Sequence, residues 1–262
     1  MWDLSASVYN EKKRALVMGD DAVREQIGRG KDILSIMLRE NMKASSEDRL
    51  DEKELIGQHP EVQAKLRKEL ANAREENCGQ DLGYDQLVSL PYLDAICRET
   101  LRLYPPVPRL MRVAVRDAVV PLAKPVIGTD GVPMTEVFIP ADSKLYLSVL
   151  GSNRNTEMWG PDALEWKPER WLSPLPQSLT EARIPGVYSH LMTFNAGSRS
   201  CIGFKFSQLE MKNVLSHLIE NFEFSPSKKN IYWEYTAICN PVVREEGPHS
   251  QLPVIVSRVK KL

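Results

Sequence analysis

Cys201 is the residue of this 262-residue chain whose surroundings best suit chemistry. It follows a loop that contains Phe194 and Gly197, and it precedes Gly203 and a stretch of apolar residues at helical spacing. A loop that ends at a helix N-terminus offers unpaired N–H groups and a positive dipole end to an anion. An aromatic face can shield a sulfur, and glycines permit a tight reversal and the approach of a flat group. The segment favours a metal-bound thiolate, with a buried small hydrophobe in a turn as the alternative.

A second group of charged residues lies earlier in the chain. Glu99 and Arg102 are three positions apart, so a helix places them on one face. The face around them is apolar and Pro105 ends the helix, which favours a buried pair over a solvated surface ion pair. Because a buried charge needs a partner, we expect Arg170, in a Pro-Glu-Arg-Trp segment, to complete a three-membered network.

These three motifs together resemble the cytochrome P-450 haem-thiolate monooxygenases, from about Glu61 onward. The order Glu-x-x-Arg, Pro-Glu-Arg-Trp and Phe-x-x-Gly-x-Arg-x-Cys-x-Gly is also the order in that family. The resemblance implies a mainly α fold with small β-sheets (α+β), present here as a partial cytochrome P-450 fold of the C-terminal half. It also implies haem b (iron protoporphyrin IX) as the cofactor, with Cys201 as the proximal ligand of the iron.

The resemblance extends to further site residues. Arg112 and Arg199 would pair with the haem propionates through their planar guanidinium groups, although an exposed charge at a strand edge is the alternative for Arg112. The implied haem-binding residues are Cys201, Phe194, Gly197, Arg199, Gly203 and Arg112, the scaffold residues are Glu99, Arg102 and Arg170, and the substrate-pocket residues are Val107 and Leu110.

The sequence departs from the family at the junction of Gln58 and His59. Family members carry a long central helix across the distal haem face there, whereas here the beginning of that helix is joined directly to the next element. Loss of this helix would uncover the haem face and impair oxygen activation, so no catalytic residue is assigned. Three functions stay open: a monooxygenase that inserts one oxygen atom from dioxygen into an organic substrate, a truncated and inactive haem-binding fragment, and a helical scaffold without cofactor.

The family also implies partners and a location. Electrons would come from an NADPH-dependent flavoprotein reductase, and the substrate would be a small, lipophilic organic molecule. Full-length members lie on the cytosolic face of the endoplasmic reticulum membrane. Residues 1–6 do not form an apolar leader and no run of eighteen apolar residues occurs, so we expect membrane association only through a missing N-terminal anchor.

Composition excludes several other classes of protein. With 42% hydrophobic and 26% charged residues, the chain has enough apolar material for a sizeable core. A formal net charge of -1 without a basic run makes nucleic acid an unexpected partner. The four cysteines and four histidines are scattered, so neither a disulfide framework nor a zinc or histidine metal site is expected.

The resemblance implies one incomplete haem-binding domain over residues 1–262, and periodicity and turn residues place its parts. We expect the prolines and tryptophans of residues 159–185 to form an extended coil on the surface. The predicted parts are a helical region at 1–58 before the deletion, helices at 59–110 with the Glu-x-x-Arg motif, a β-rich segment at 111–158, a meander and haem loop at 159–200, a proximal helix at 201–221 and a C-terminal sheet at 222–262.

Overall fold

The computed structural model describes residues 59–182, 184–235 and 238–259, so the helical region expected at 1–58 lies outside the described residues. The α-helices are α1 (Pro60–Glu76), α2 (Tyr84–Ser89), α3 (Pro91–Leu103), α4 (Val149–Asn153), α5 (Thr156–Trp159), α6 (Gln177–Glu181) and α7 (Phe204–Asn221). The strands are β1 (Arg109–Val113), β2 (Ala118–Ile127), β3 (Pro133–Ile139), β4 (Lys144–Ser148), β5 (Phe222–Pro226), β6 (Tyr232–Tyr235), β7 (Cys239–Val242) and β8 (Val254–Arg258). Short 3-10 helices include Pro168–Leu172, Met192–Phe194 and Gly197–Arg199.

The main apolar core lies between α1, α3 and α7. Helix α1 begins at Pro60, whose missing N–H has no intrahelical partner to lose in the first turn. Leu66 and Leu70 of α1 pack in one cluster with Leu93 of α3 and Ile219 of α7. The burial of these side chains removes apolar surface from water and holds the three helices together.

The strands form four separate antiparallel pairs: β1 with β4, β2 with β3, β5 with β8 and β6 with β7. In the first pair Leu110 lies opposite Leu147 and Arg112 lies opposite Leu145. The predicted fold class, mainly α with small β-sheets, is confirmed. Among the described residues, no helix combines the length and apolar character that crossing a membrane requires.

The prediction of an extended surface coil at 159–185 is only partly right: most of the described residues are exposed or half-buried, but the segment also contributes to the core. The segment includes α6 and the 3-10 helix Pro168–Leu172, and its Trp159, Ala163 and Leu179 side chains have no exposed surface. Prolines and short elements weaken any helical period, so the sequence pattern looks irregular. The large apolar area of tryptophan nevertheless drives the segment into a second core cluster.

Helix α7 follows the cysteine loop, but only some of its apolar residues face the core, where Ile219 is buried. Phe206 and Val214 are 67% and 51% exposed, whereas Lys212 and Ser216 are buried. The ammonium group of Lys212 is tolerated there because it lies 2.6 Å from a carboxylate oxygen of Asp94 on α3. A charge pair between two helices therefore allows the burial of Lys212, a residue that hydrophobicity alone predicts to be exposed.

The N-terminus of α3 is capped by a side chain from another helix. Leu90, its N-cap residue, offers no side-chain acceptor, but Glu69 of α1 accepts hydrogen bonds from the N–H groups of Tyr92 (2.8 Å) and Leu93 (2.9 Å). A carboxylate at this end also interacts favourably with the helix dipole. Glu69 thus fixes the start of α3 against α1.

We predict that Glu69→Ala lowers the free energy of unfolding by about 1–2 kcal/mol, the usual cost of losing a helix cap. The exposed Glu75 on the same helix provides the matched control, and Glu75→Ala should change stability by less than about 0.5 kcal/mol. Urea unfolding followed by circular dichroism measures both values. Equal losses in the two variants would contradict the cap.

Candidate functional site

A carboxylate with no solvent exposure lies at the centre of the site. Glu99 and Arg102 are both 0% exposed, one turn apart on α3. Arg102 grips the carboxylate with two parallel bonds, from Nε to Oε2 at 2.9 Å and from Nη2 to Oε1 at 2.8 Å. Its other N–H groups donate to the backbone carbonyls of Asn153 (3.1 Å), Glu165 (3.0 Å) and Ala163. The pair is therefore fully satisfied inside the protein.

Three further donors reach Glu99 from the segment after residue 166. The backbone N–H of Lys167 lies 3.0 Å away, the indole N–H of Trp171 2.9 Å and Nε of Arg170 3.4 Å. Arg170 binds Asp162 more closely, at 2.8 Å, and its hydrogen bond lowers the pKa of that carboxyl below the usual value. The structure thus brings Glu99, Arg102 and Arg170 together.

The contribution of Asp162 to stability is present above the ordinary pKa of aspartate and is lost as the pH falls through the lowered value.

Cys201 lies on a loop that is held by two hydrogen bonds between its own residues. The N–H of Cys201 donates to the carbonyl of Phe194 at 2.8 Å, and the side-chain amide of Asn195 donates to the carbonyl of Arg199 at 2.8 Å. Gly197 has a φ of 63°, in the left-handed region that glycine adopts without strain. Helix α7 begins at Phe204, so Cys201 lies just before its first turn, and the cysteine is exposed.

The loop has an aromatic side and an open side. The ring of Phe194, only 9% exposed, contacts Tyr188 edge-on at 5.7 Å and Phe204 at 6.2 Å between centroids. The open side is the part around Ile202, which is fully exposed, and Gly203, where an added Cβ would meet no atom within 4 Å. The backbone at Gly203 is therefore uncovered.

Arg199 belongs to this loop, whereas no hydrogen bond or ion pair among the described residues joins Arg112, Val107 or Leu110 to it. Arg112, half-buried in β1, donates to the carbonyl of Met111 at 2.9 Å, and Arg199 is exposed. Neither guanidinium has a carboxylate partner within the described ranges. Val107, just before β1, and Leu110, within β1, are both half-buried.

Three residues that shape this region were not identified from the sequence: Asn153, Thr193 and Gly186. Asn153 is fully buried and binds Thr193 at 2.8 Å, a contact between positions 40 apart for which no sequence pattern exists. Gly186 cannot carry a side chain, because a Cβ there would lie 2.1 Å from the carbonyl oxygen of Leu191. The Pro185-Gly186 pair is a recognisable turn signal and could have indicated this position.

We predict that Arg102→Ala leaves Glu99 buried without its main cation and costs roughly 3–5 kcal/mol, enough to prevent stable folding. Arg116→Ala removes an exposed arginine and should leave stability almost unchanged. Thermal unfolding of the two purified variants is the measurement. A folded Arg102→Ala chain of normal stability would show that the network does not brace the fold.

The chain is similar to known proteins along most of its length. The family model for cytochrome P-450 matches residues 54–235. The chain is 50% identical to cytochrome P-450 monooxygenase 91 of Postia placenta over 98% of its own length and 51% of that protein. It is 46% identical to ganoderic acid synthetase of Ganoderma lucidum, over 98% of the chain and 52% of that protein.

The structure gives the same result. It superposes on a crystal structure of a cytochrome P-450 with a TM-score of 0.57 at 25% sequence identity, covering 78% of this chain and 39% of the other. The chain spans about half the length of the curated relatives it matches. On these matches, the chain belongs to the cytochrome P-450 family.

Proposed function

We propose that this chain forms the haem-binding part of a haem-thiolate monooxygenase, with Cys201 as the ligand of the iron. The observation that carries the proposal is the exposed cysteine on a closed loop with an aromatic side at Phe194 and an open side at Gly203. A single soft thiolate donor suits iron in a haem, and the open side suits a flat macrocycle. When bound, the haem supplies the redox-active iron that oxygen chemistry needs.

The chain's own residues would hold and tune this group. The Cys201 sulfur would donate electron density to the iron, and the buried ring of Phe194 would keep water from one side of the sulfur. Arg112 and Arg199 would bind the propionates. This role is supported by the absence of a carboxylate partner for either guanidinium among residues 59–182, 184–235 and 238–259.

The proposed reaction inserts one oxygen atom from dioxygen into a small lipophilic substrate, and the other oxygen atom leaves as water with two protons and two electrons from an NADPH-dependent flavoprotein reductase. Relatives named as monooxygenases in Postia placenta support it. Val107 and Leu110, half-buried and apolar, are proposed to face the substrate. We place the whole protein on the cytosolic face of the endoplasmic reticulum membrane by analogy with the family.

A second candidate is a form that binds haem without turnover. The match to monooxygenase 91 runs over 281 residues, which exceeds the 262 of this chain by 19. The match to ganoderic acid synthetase runs over 285, so these relatives carry residues inside the matched region that this chain lacks. Loss of an internal block over the open side of the loop would admit water and impair oxygen activation.

Cysteine labelling provides the first test. Cys201 and Cys78 are exposed, whereas burial raises the pKa of Cys97 to about 12 and that of the half-buried Cys239 to about 11. Cys201 and Cys78 should therefore react fastest with iodoacetamide in the haem-free chain. Added haemin should protect Cys201 and leave Cys78 reactive. Mass spectrometry of the labelled peptides is the readout. Unchanged labelling of Cys201 at saturating haemin would exclude it as the ligand.

Spectroscopy tests both candidates, and turnover separates them. The ferrous carbon-monoxide complex should show thiolate-type absorption, which Cys201→Ser should abolish and Cys78→Ser should preserve. NADPH-dependent oxygen consumption in the presence of the reductase is then expected for the monooxygenase and absent for the inactive form. A thiolate signal that survives Cys201→Ser would refute both candidates.

A further inference from the structure

Asn153 connects the buried ion network to the segment before the cysteine loop. It lies at the end of α4 with 0% exposure, and its carbonyl accepts the bond from Arg102 at 3.1 Å. Its side-chain oxygen accepts a hydrogen bond from the N–H of Met192 at 3.0 Å, and its side-chain nitrogen donates to Oγ1 of Thr193 at 2.8 Å. One buried amide therefore fixes two consecutive residues of that segment.

Thr193 carries the connection back to α3. Its hydroxyl accepts from Asn153 and donates to the carbonyl of Leu101 at 2.8 Å. Leu101 lies in the last turn of α3, where carbonyls have no partner within the helix. The hydroxyl thus uses both its donor and an acceptor site, one toward α3 and one toward Asn153 of α4. Residues 192–193 are clamped between α3 and α4 as a result.

The clamped segment leads directly into the loop. Phe194, the next residue, supplies the carbonyl that accepts the Cys201 N–H at 2.8 Å. The N–H of Asn195 donates to the carbonyl of Met192 at 2.9 Å. Since the cysteine itself is exposed, its position depends on this backbone connection rather than on packing around the thiol.

From these contacts we infer that Asn153 and Thr193 are positioning residues, which fix the backbone of the Cys201 loop relative to the Glu99–Arg102 pair. The inference rests on the proposed function for its consequence at the haem, because a displaced loop moves the sulfur away from the iron. The bonds themselves belong to the chain without any cofactor. A test on the full chain can therefore address the clamp with and without haem.

The test compares Thr193→Val, which keeps the branched shape but removes the hydroxyl, with Thr193→Ser, which keeps the hydroxyl. Hydrogen–deuterium exchange of the full haem-free chain reports on peptides over 192–203 and over α1. In Thr193→Val we expect the loop peptides to exchange about five- to ten-fold faster, the effect of losing one hydrogen bond, with α1 unchanged. Thr193→Ser should exchange like the unsubstituted chain.

Haem loading gives the second readout. At equal haem content, Thr193→Val should convert a smaller fraction of its ferrous carbon-monoxide complex to the thiolate type than Thr193→Ser does. A purely stabilising role would speed exchange in α1 as well and leave this fraction unchanged. If Thr193→Val does not fold, Thr193→Ala removes the same hydroxyl without a branched side chain and receives the same measurements.

The outcomes separate the two proposals. Loop exchange equal to that of the unsubstituted chain, or faster exchange spread over loop and α1 alike, overturns the positioning role. An unsubstituted chain without any thiolate-type signal overturns the proposed function, while the exchange data still decide whether the clamp exists. A thiolate fraction that is identical in Thr193→Val and Thr193→Ser shows that the clamp does not reach the sulfur.

Discussion

The buried charge of Glu99 is the constraint on which the rest of the structure depends. A carboxylate without solvent contact is tolerated only when cations and N–H donors surround it, and an uncompensated one costs several kcal/mol, roughly 3–5. Arg102 comes from the same helix, but Lys167, Arg170 and Trp171 come from a distant segment. The folding of α3 and of that segment is therefore coupled, because neither satisfies the charge alone.

The buried ion pair also fixes other parts of the chain, because Arg102 donates hydrogen bonds to their backbone carbonyls. Arg102 binds the carbonyls of Asn153, Ala163 and Glu165, so one side chain fixes three points of the chain. Asn153 then holds the residues that precede the cysteine loop. The exposed Cys201 is thus placed by bonds that start in the interior, so its thiol is accessible while its backbone is fixed.

The features that could be predicted from the sequence are those whose patterns lie within a few neighbouring residues. The Glu99–Arg102 spacing, the adjacent prolines and the helical periods of α1 and α3 act within a few residues, and these elements lie where they were expected. The burial of Trp159 and Lys212 and the bond between Asn153 and Thr193 were not predicted. They join positions far apart in the chain, and a side-chain hydrogen bond leaves no periodic pattern in a sequence.

The proposal that Cys201 binds the haem iron requires a sulfur ligand on a loop whose backbone is bonded to residues remote from the sulfur. The most direct test is iron K-edge X-ray absorption of the haem-loaded chain, compared with the haem-loaded Cys201→Ser variant. If Cys201 binds the iron, one sulfur neighbour is expected in the first coordination shell of the iron and should be absent from the variant. A first shell of nitrogen and oxygen alone in the unsubstituted chain, or a sulfur neighbour that persists in Cys201→Ser, would contradict it.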